Sequence, residues 1–203
     1  MKRWTAIRHL VEMAAEATDM LRWRGTDIGW PLEELWVTGE LLDTDGDVEM
    51  GAVILLLDVA PEELPWLATH PAGEFVGDRL RLGKRPVAWF CRPSVWPPWN
   101  ARHRRVARLW SAATGVDQAT IEALRSGTNP GVAEPGDDDL REQLGEERRA
   151  LHARLRQTVH DYWDPAWRRR DRGHEAEEHL WRTAAGLVDI DDALAALGPT
   201  PAG

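Results

Sequence analysis

The segment Glu34-Leu-Trp-Val-Thr-Gly-Glu-Leu-Leu-Asp-Thr-Asp-Gly-Asp-Val-Glu-Met-Gly-Ala-Val-Ile-Leu-Leu-Leu-Asp-Val, residues 34–59, combines the most apolar run of the chain with a cluster of acids. Two apolar stretches flank Asp43-Thr-Asp-Gly-Asp, in which Asp and Gly tolerate tight turns. We therefore predict a strand over Leu35–Leu41, a turn, and a second strand over Val48–Val59. The centre of the second strand, residues 53–57, is apolar on both faces, which is typical of a central strand covered on both sides.

The rest of the N-terminal half adds helices and one more strand to this pair. Apolar residues recur at spacings of three and four across residues 2–22, which predicts an amphipathic helix. Pro and Gly residues mark the later boundaries. From them we predict a helix that begins at Pro61, a helix over Glu74–Leu80, a third strand over Pro86–Cys91, and two short helices over 101–126 that divide at Gly115.

The C-terminal third is predicted to be helical. Residues 128–139 are rich in Pro, Gly and Asp, which is typical of a linker. Helical periodicity then covers Leu140–Trp163 and Glu175–Leu197, and we expect these helices to pair as an antiparallel hairpin. The sequence thus predicts an α+β fold with a small sheet of about three strands covered by helices. This core domain (1–127) is followed by the linker and by a helical hairpin region (140–203) packed on the core.

The composition limits the class of protein. The chain has 203 residues, 34 acidic and 25 basic side chains and a net charge of −9, which disfavours broad affinity for nucleic acids. No apolar segment resembles a signal peptide or approaches the roughly 18 residues that span a membrane. We predict a cytoplasmic protein that does not enter a membrane. The single cysteine, Cys91, lies in an apolar run and is expected to be a buried structural thiol, while the twelve Trp residues are interpreted as core packing.

The acidic turn carries the first functional hypothesis. Val37-Thr-Gly-Glu, followed shortly by Gly46-Asp-Val-Glu-Met, resembles the signature of the DNA-polymerase-β-type nucleotidyltransferases. In that family, small residues approach phosphate, and two acids two positions apart hold Mg²⁺, which holds the nucleoside triphosphate. The resemblance implies that Gly39 contacts phosphate and that Asp47 and Glu49 bind Mg²⁺. However, Glu40 stands where the family has Gly or Ser, and an ordinary hairpin with a solvated acidic turn would carry the same residues.

Residues 107–127 carry a second hypothesis, because they resemble a helix-turn-helix of the phage-repressor type with Gly115 at the turn. Gln can read adenine, and Arg can contact phosphate. The resemblance assigns nucleic-acid contacts to Gln118 and Thr120 on the recognition helix and to Arg104, Arg105 and Arg108 before it. Asp117 and Glu122 would place acids on the same helix, so we favour a solvated basic face paired with the acidic linker.

The ends of the hairpin helices hold a third arrangement. His160 and Asp164 are four residues apart, as are Glu175 and His179. In an antiparallel hairpin these side chains could converge as metal ligands do in helical bundles. Charged pairs at this spacing are also common on helix surfaces, and a charged loop end is the simpler interpretation.

Taken whole, the chain resembles a bacterial family described only as a domain of unknown function. The similarity lies in Arg3-Trp-Thr-Ala-Ile-Arg-His-Leu, Leu35-Trp-Val-Thr-Gly-Glu-Leu-Leu, Pro65-Trp and Ala112-Ala-Thr-Gly-Val. It implies no activity, ligand or catalytic residue.

Two hypotheses therefore remain open from the sequence. The first is a nucleotidyltransferase-like protein, active or inactive, that binds a Mg²⁺-nucleotide. The second is a non-enzymatic interaction or regulatory module, in which the 101–126 segment and the C-terminal hairpin face a protein or DNA partner.

Overall fold

A five-stranded sheet lies at the centre of the computed structural model, which describes residues 1–27, 29–166 and 174–198. The strand order is β3-β2-β1-β4-β5; β2 and β3 are parallel, and the other neighbours are antiparallel. The strands are β1 (Leu32–Thr38), β2 (Gly51–Leu57), β3 (Val87–Pro93), β4 (Val106–Ser111) and β5 (Gly115–Val116). The α+β class is confirmed, but the sheet has two more strands than the three that we predicted.

Helices cover both faces of the sheet. Four of them are α1 (Arg3–Met20), α2 (Glu40–Asp43), α3 (Pro71–Arg79) and α4 (Gln118–Ser126). The C-terminal pair is α5 (Asp137–Tyr162) and α6 (His174–Ala196). The apolar sides of α1, α3 and α4 share one core with β1, β2 and β4, while α5 and α6 form a second core around Trp66. No helix among the described residues is both long enough and apolar enough to cross a membrane.

The central strands β1 and β2 are the pair predicted from residues 34–59. Alternate residues of β2, Val53, Leu55 and Leu57, are buried in the core beneath α1 and α3, while Ile54 and Leu56 are buried on the opposite face. The run is therefore apolar on both faces because both faces are covered. The strand ends differ from the prediction, since Gly39 (φ +73°) turns the chain and residues 40–43 form one helical turn.

The prediction of two helices over 101–126 is wrong in its first half. Residues 106–111 form β4, which pairs with β1 and buries Ala107 and Leu109 against the α1 side of the sheet. Helix propensities differ by only tenths of a kcal/mol between most residues, so the free edge of β1 decides the local structure. Gly115 (φ +74°) lies at the turn of a β4–β5 hairpin, and only α4 is helical.

The predicted helix from Pro61 and the predicted linker over 128–139 both differ from the structure. Residues 61–70 form turns rather than a helix, since Pro65 would lack the N–H that a helix interior requires. The predicted linker 128–139 is partly ordered: Ala133 exchanges two backbone hydrogen bonds with Val106 (3.0 and 2.7 Å). The three acids of 137–139 form the first turn of α5, where the helix dipole favours negative charge.

The C-terminal helices pair in opposite directions, as predicted. Arg141 near the start of α5 donates to the backbone C=O of Leu197, just beyond α6 (3.1 Å), whereas Arg148, further along α5, pairs with Asp191 (2.7 Å). The order of partners is thus reversed along the two helices. The hairpin packs against Trp66 and against Phe90 of β3. The division into domains 1–127 and 140–203 stays a prediction.

Candidate functional site

The residues that the nucleotidyltransferase resemblance assigns lie in one loop, where each has a structural contact. Gly39 begins the turn into α2. Asp47 accepts a hydrogen bond from the backbone N–H of Arg3 at the first turn of α1 (3.4 Å). Glu49 precedes β2 by two residues, and its own N–H donates to the carboxylate of Glu40 (2.7 Å). The two acids therefore lie in an irregular loop rather than on a strand.

Two carboxylates can hold Mg²⁺ when substrate phosphates and water complete its coordination. Within the described ranges, no group of three or more His, Cys, Asp or Glu side chains is placed to hold a metal. The loop already contains a fixed cation, because the guanidinium of Arg3 donates to the backbone C=O groups of Leu41 (3.2 Å) and Thr44. The Mg²⁺ site at Asp47 and Glu49 stays a prediction.

The residues proposed to contact nucleic acid do not form a helix-turn-helix. Arg104 pairs with Asp137 (3.6 Å), Arg105 pairs with Asp43 and Glu134, and Arg108 pairs with Glu34 (3.8 Å). Thr120 is buried in the first turn of α4, where its N–H donates to the N-cap Asp117 (3.0 Å). Of the two residues assigned to the recognition helix, Gln118 is exposed and Thr120 is not. Arg104 and Arg105 thus pair with acids of the predicted linker, whereas Arg108 pairs with an acid of β1.

The hairpin residues considered as metal ligands do not converge in the described part of the molecule. The side chain of Glu175 lies outside the described residues. Asp164 accepts from the N–H of Ala166 (2.8 Å), while Nε2 of His179 lies 3.4 Å from Oγ1 of Thr69. His179 thus faces the loop that carries Thr69.

A concave site lies where the hairpin meets the outer strand β3. We call it the edge groove. It has a volume of about 550 Å³ and is formed by four parts of the chain. These are the loop 66–70, residues 89–91 of β3, Gly73 and Glu74 of α3, and Glu178, His179 and Arg182 of α6.

The loop wall of the edge groove is held against α6. The indole N–H of Trp66 donates to Asp189 (3.0 Å), and Arg102 pairs with the same carboxylate (2.7 Å). Trp66 stacks on Phe90 of β3, with ring centroids 5.6 Å apart. The next residue, Leu67, has φ +61°, a conformation that costs a non-glycine residue about 1–3 kcal/mol and persists only where its surroundings impose it.

A buried ion pair joins β3 to α5 next to the groove-lining residue Cys91 in the chain. Arg92 donates to both carboxylate oxygens of Glu147 (3.1 and 2.6 Å), and each side chain is only 1% exposed. The backbone C=O of Pro97 accepts from Nε of Arg92 (2.9 Å), and Gln143 donates to Glu147 (3.2 Å). Both charges are buried and hydrogen-bonded, so the pair is a direct link between β3 and α5.

The thiol of Cys91 lies at the floor of the edge groove. A Cβ on Gly73 would come within 2.8 Å of its Sγ, so α3 packs directly on this residue. Burial raises the pKa of the Cys91 thiol from its ordinary value of 9.0 to about 12. Since the thiolate is the reactive form, the residue is not an activated nucleophile. The residue as a whole is half-buried, so the expectation of a buried structural thiol is met only in part.

We expect Cys91 to resist thiol reagents in the folded protein. A pKa higher by about three units leaves roughly a thousandfold less thiolate at pH 8, and the packed Gly73 adds a steric barrier. Ellman's reagent at pH 8 should therefore label the native protein at least a hundredfold more slowly than the same protein in 6 M guanidinium. Complete labelling of the native protein within minutes would contradict this account of the groove floor.

Comparison with known proteins identifies a family. A family model described as "Domain of unknown function (DUF7711)" matches residues 1–196. The chain belongs to the DUF7711 family. The match spans the sheet and both hairpin helices, so every part of the edge groove lies within the DUF7711 domain. No curated protein and no solved structure matches the chain.

The edge groove of this DUF7711 chain was not predicted from its sequence. Two weak signals pointed to parts of it. Gly73 and Gly77 lie four residues apart on α3, a spacing that allows close approach to a strand, and they contact Cys91 and Trp89. Glu178 and Arg182 form an ion pair one helical turn apart on α6 (2.7 Å). Neither pattern indicates from the sequence alone that α3 and α6 line the same groove.

Proposed function

We propose that this DUF7711 protein is a non-enzymatic interaction module that recognises a protein partner in the edge groove. The observation that supports it most is the composite construction of the groove, whose walls come from the sheet domain and the C-terminal hairpin. Concave sites between substructures, with aromatic surface and a few polar groups, are typical of recognition sites. The hairpin was one of the two surfaces that the sequence assigned to a partner.

The chemistry of the groove supports binding rather than group transfer. Its one thiol is held protonated by burial. The hydroxyl of Thr69 lies 3.4 Å from His179, which is longer than a well-formed hydrogen bond between a nucleophile and its base. By contrast, aromatic side chains such as Phe90 and Trp89 offer the apolar surface that interfaces favour.

Charge reversal at Glu74 tests the proposal. Glu74 is exposed on the α3 wall, and Asp78, one turn further along the same helix, is equally exposed but does not line the groove. A partner captured from a lysate of the source organism would be identified, purified and titrated by calorimetry against wild type, Glu74→Arg and Asp78→Arg. We expect Glu74→Arg to weaken binding about tenfold or more, as loss of an important interface charge does, and Asp78→Arg to change it less than twofold.

Equal affinity of all three proteins for the purified partner would show that the partner binds elsewhere and would overturn the proposal. The nucleotide hypothesis has a separate readout. If Mg²⁺ with a nucleoside triphosphate raised the melting temperature of wild type by about 5–10 °C, and Asp47→Ala/Glu49→Ala abolished the shift, nucleotide binding at the acidic loop would replace our proposal.

A further inference from the structure

The outer edge of β3 presents unpaired backbone groups to the edge groove. Two hydrogen bonds at its ends fix which residues face β2: the N–H of Gly51 donates to Pro86 (3.3 Å), and the N–H of Ser94 donates to Leu57 (2.7 Å). Since alternate residues of a strand direct their N–H and C=O to the same side, the even-numbered residues of β3 face β2. Trp89 and Cys91 therefore direct their backbone groups outward.

These outward groups meet no partner in the part of the chain that the structure describes. Among the described residues, β3 pairs only with β2, and no backbone or side-chain hydrogen bond reaches the outer edge at Trp89 or Cys91. Both residues line the edge groove, together with Phe90 between them. Three consecutive residues of a strand can line one groove only if the groove runs along the strand edge, because their side chains alternate between faces. The groove therefore contains two N–H and two C=O groups of an open sheet edge.

The two walls differ in charge. Glu74 on the α3 wall is exposed and has no ion pair with a described residue, whereas Glu178 on the α6 wall is neutralised by Arg182. The free charge of the groove is therefore negative and lies on the α3 side. On the hairpin side, Phe90 and the loop that carries Trp66 provide aromatic and apolar surface.

We propose that the partner contributes an extended peptide segment, which adds to β3 as a sixth strand. This inference rests on the proposed function and specifies the form of the partner. Backbone hydrogen bonds to Trp89 and Cys91 supply affinity, as in other cases of strand addition. Because side chains of the added strand alternate, one set faces Glu74 and the other faces the hairpin. The preferred segment carries Lys or Arg on the α3 side and apolar residues on the hairpin side.

The experiment uses a phage-displayed library of random 12-residue peptides, selected on the wild-type protein. Selected sequences are synthesised and titrated against wild type, Glu74→Arg and the control Asp78→Arg. Each peptide is also made with a single N-methylated amide at each position in turn, which removes one backbone donor without changing the side chain. We expect tenfold or greater losses at every second position and less than threefold losses between them, with enrichment of alternating cationic and apolar residues.

The outcomes separate the two proposals. One outcome is a set of peptides that bind the Glu74→Arg variant more weakly than wild type and yet lose affinity equally at every N-methylated position. That result would keep the groove as the binding site and overturn strand addition. Peptides that bind Glu74→Arg and wild type equally would overturn both. A wild-type protein that is dimeric by light scattering, and that becomes monomeric with Glu74→Arg, would identify a second copy as the occupant and overturn the partner peptide.

Discussion

Replacing Glu147 with alanine is expected to lower the free energy of unfolding by about 3–5 kcal/mol, a large fraction of the stability of a typical domain. The variant leaves the guanidinium of Arg92 buried without its carboxylate, although the C=O of Pro97 still accepts one hydrogen bond. The cost comes mainly from the unpaired buried charge rather than from the lost attraction. Urea unfolding of wild type and Glu147→Ala measures it directly.

Two further variants make this result interpretable. Glu146→Ala removes the neighbouring acid, which is exposed and lies 3.9 Å from Arg149, and should change stability by less than about 0.5 kcal/mol. The double variant Arg92→Met/Glu147→Leu removes both charges and should recover most of the loss, because apolar replacements of a whole buried pair are often neutral or stabilising. A loss below about 1 kcal/mol for Glu147→Ala would mean that water reaches Arg92 and that the pair does not hold the hairpin.

Gly186→Ala is expected to lower the free energy of unfolding by about 2 kcal/mol or more, although alanine is the better helix former. A Cβ at this position of α6 would lie 2.7 Å from the backbone oxygen of Trp66 and 3.3 Å from Leu151. The first contact is with backbone, so relief requires α6 to move away from the loop that forms one wall of the edge groove. Urea unfolding gives the energy, and hydrogen exchange of residues 66–70 should show faster exchange in the variant.

Gly145→Ala is the matched control for this prediction. Gly145 lies within α5, and a Cβ there meets nothing within 4 Å. The substitution should therefore stabilise the protein by about 0.5–1 kcal/mol through helix propensity alone. If both alanines stabilised the protein equally, the close approach of α6 to Trp66 would not exist in solution.

Residues 34–59 predicted the central strand pair because the apolar run and the turn that define it are neighbours in the chain. The run from Val53 to Leu57 is too apolar to have an exposed face, and Asp43–Asp47 cannot continue a strand. The α5–α6 hairpin was predictable for a similar reason, since its helices repeat their apolar residues every three or four positions. In these places the preference of each residue agrees with its position in the fold.

The remaining features depend on partners that lie far away in the chain. The segment 106–111 contains good helix formers, and it is a strand because β1 has a free edge beside it. Arg92 and Glu147 look like surface charges in the sequence, yet together they are among the most buried side chains. Gly186 would be unfavourable in an isolated helix, and its role becomes clear only from the backbone of Trp66 that packs against it. The edge groove could not be predicted because each of its walls comes from a different element.

The long separation of the contacts that build the groove has a consequence for biosynthesis. Trp66 and Asp189 are 123 residues apart in the chain, and Arg92 and Glu147 are 55 apart. Contacts between residues that are far apart in the chain slow its folding. The groove is therefore incomplete on a nascent chain until the C-terminal helix has left the ribosome and docked. A partner that recognises the whole groove would therefore bind only molecules in which α6 has docked on the loop around Trp66.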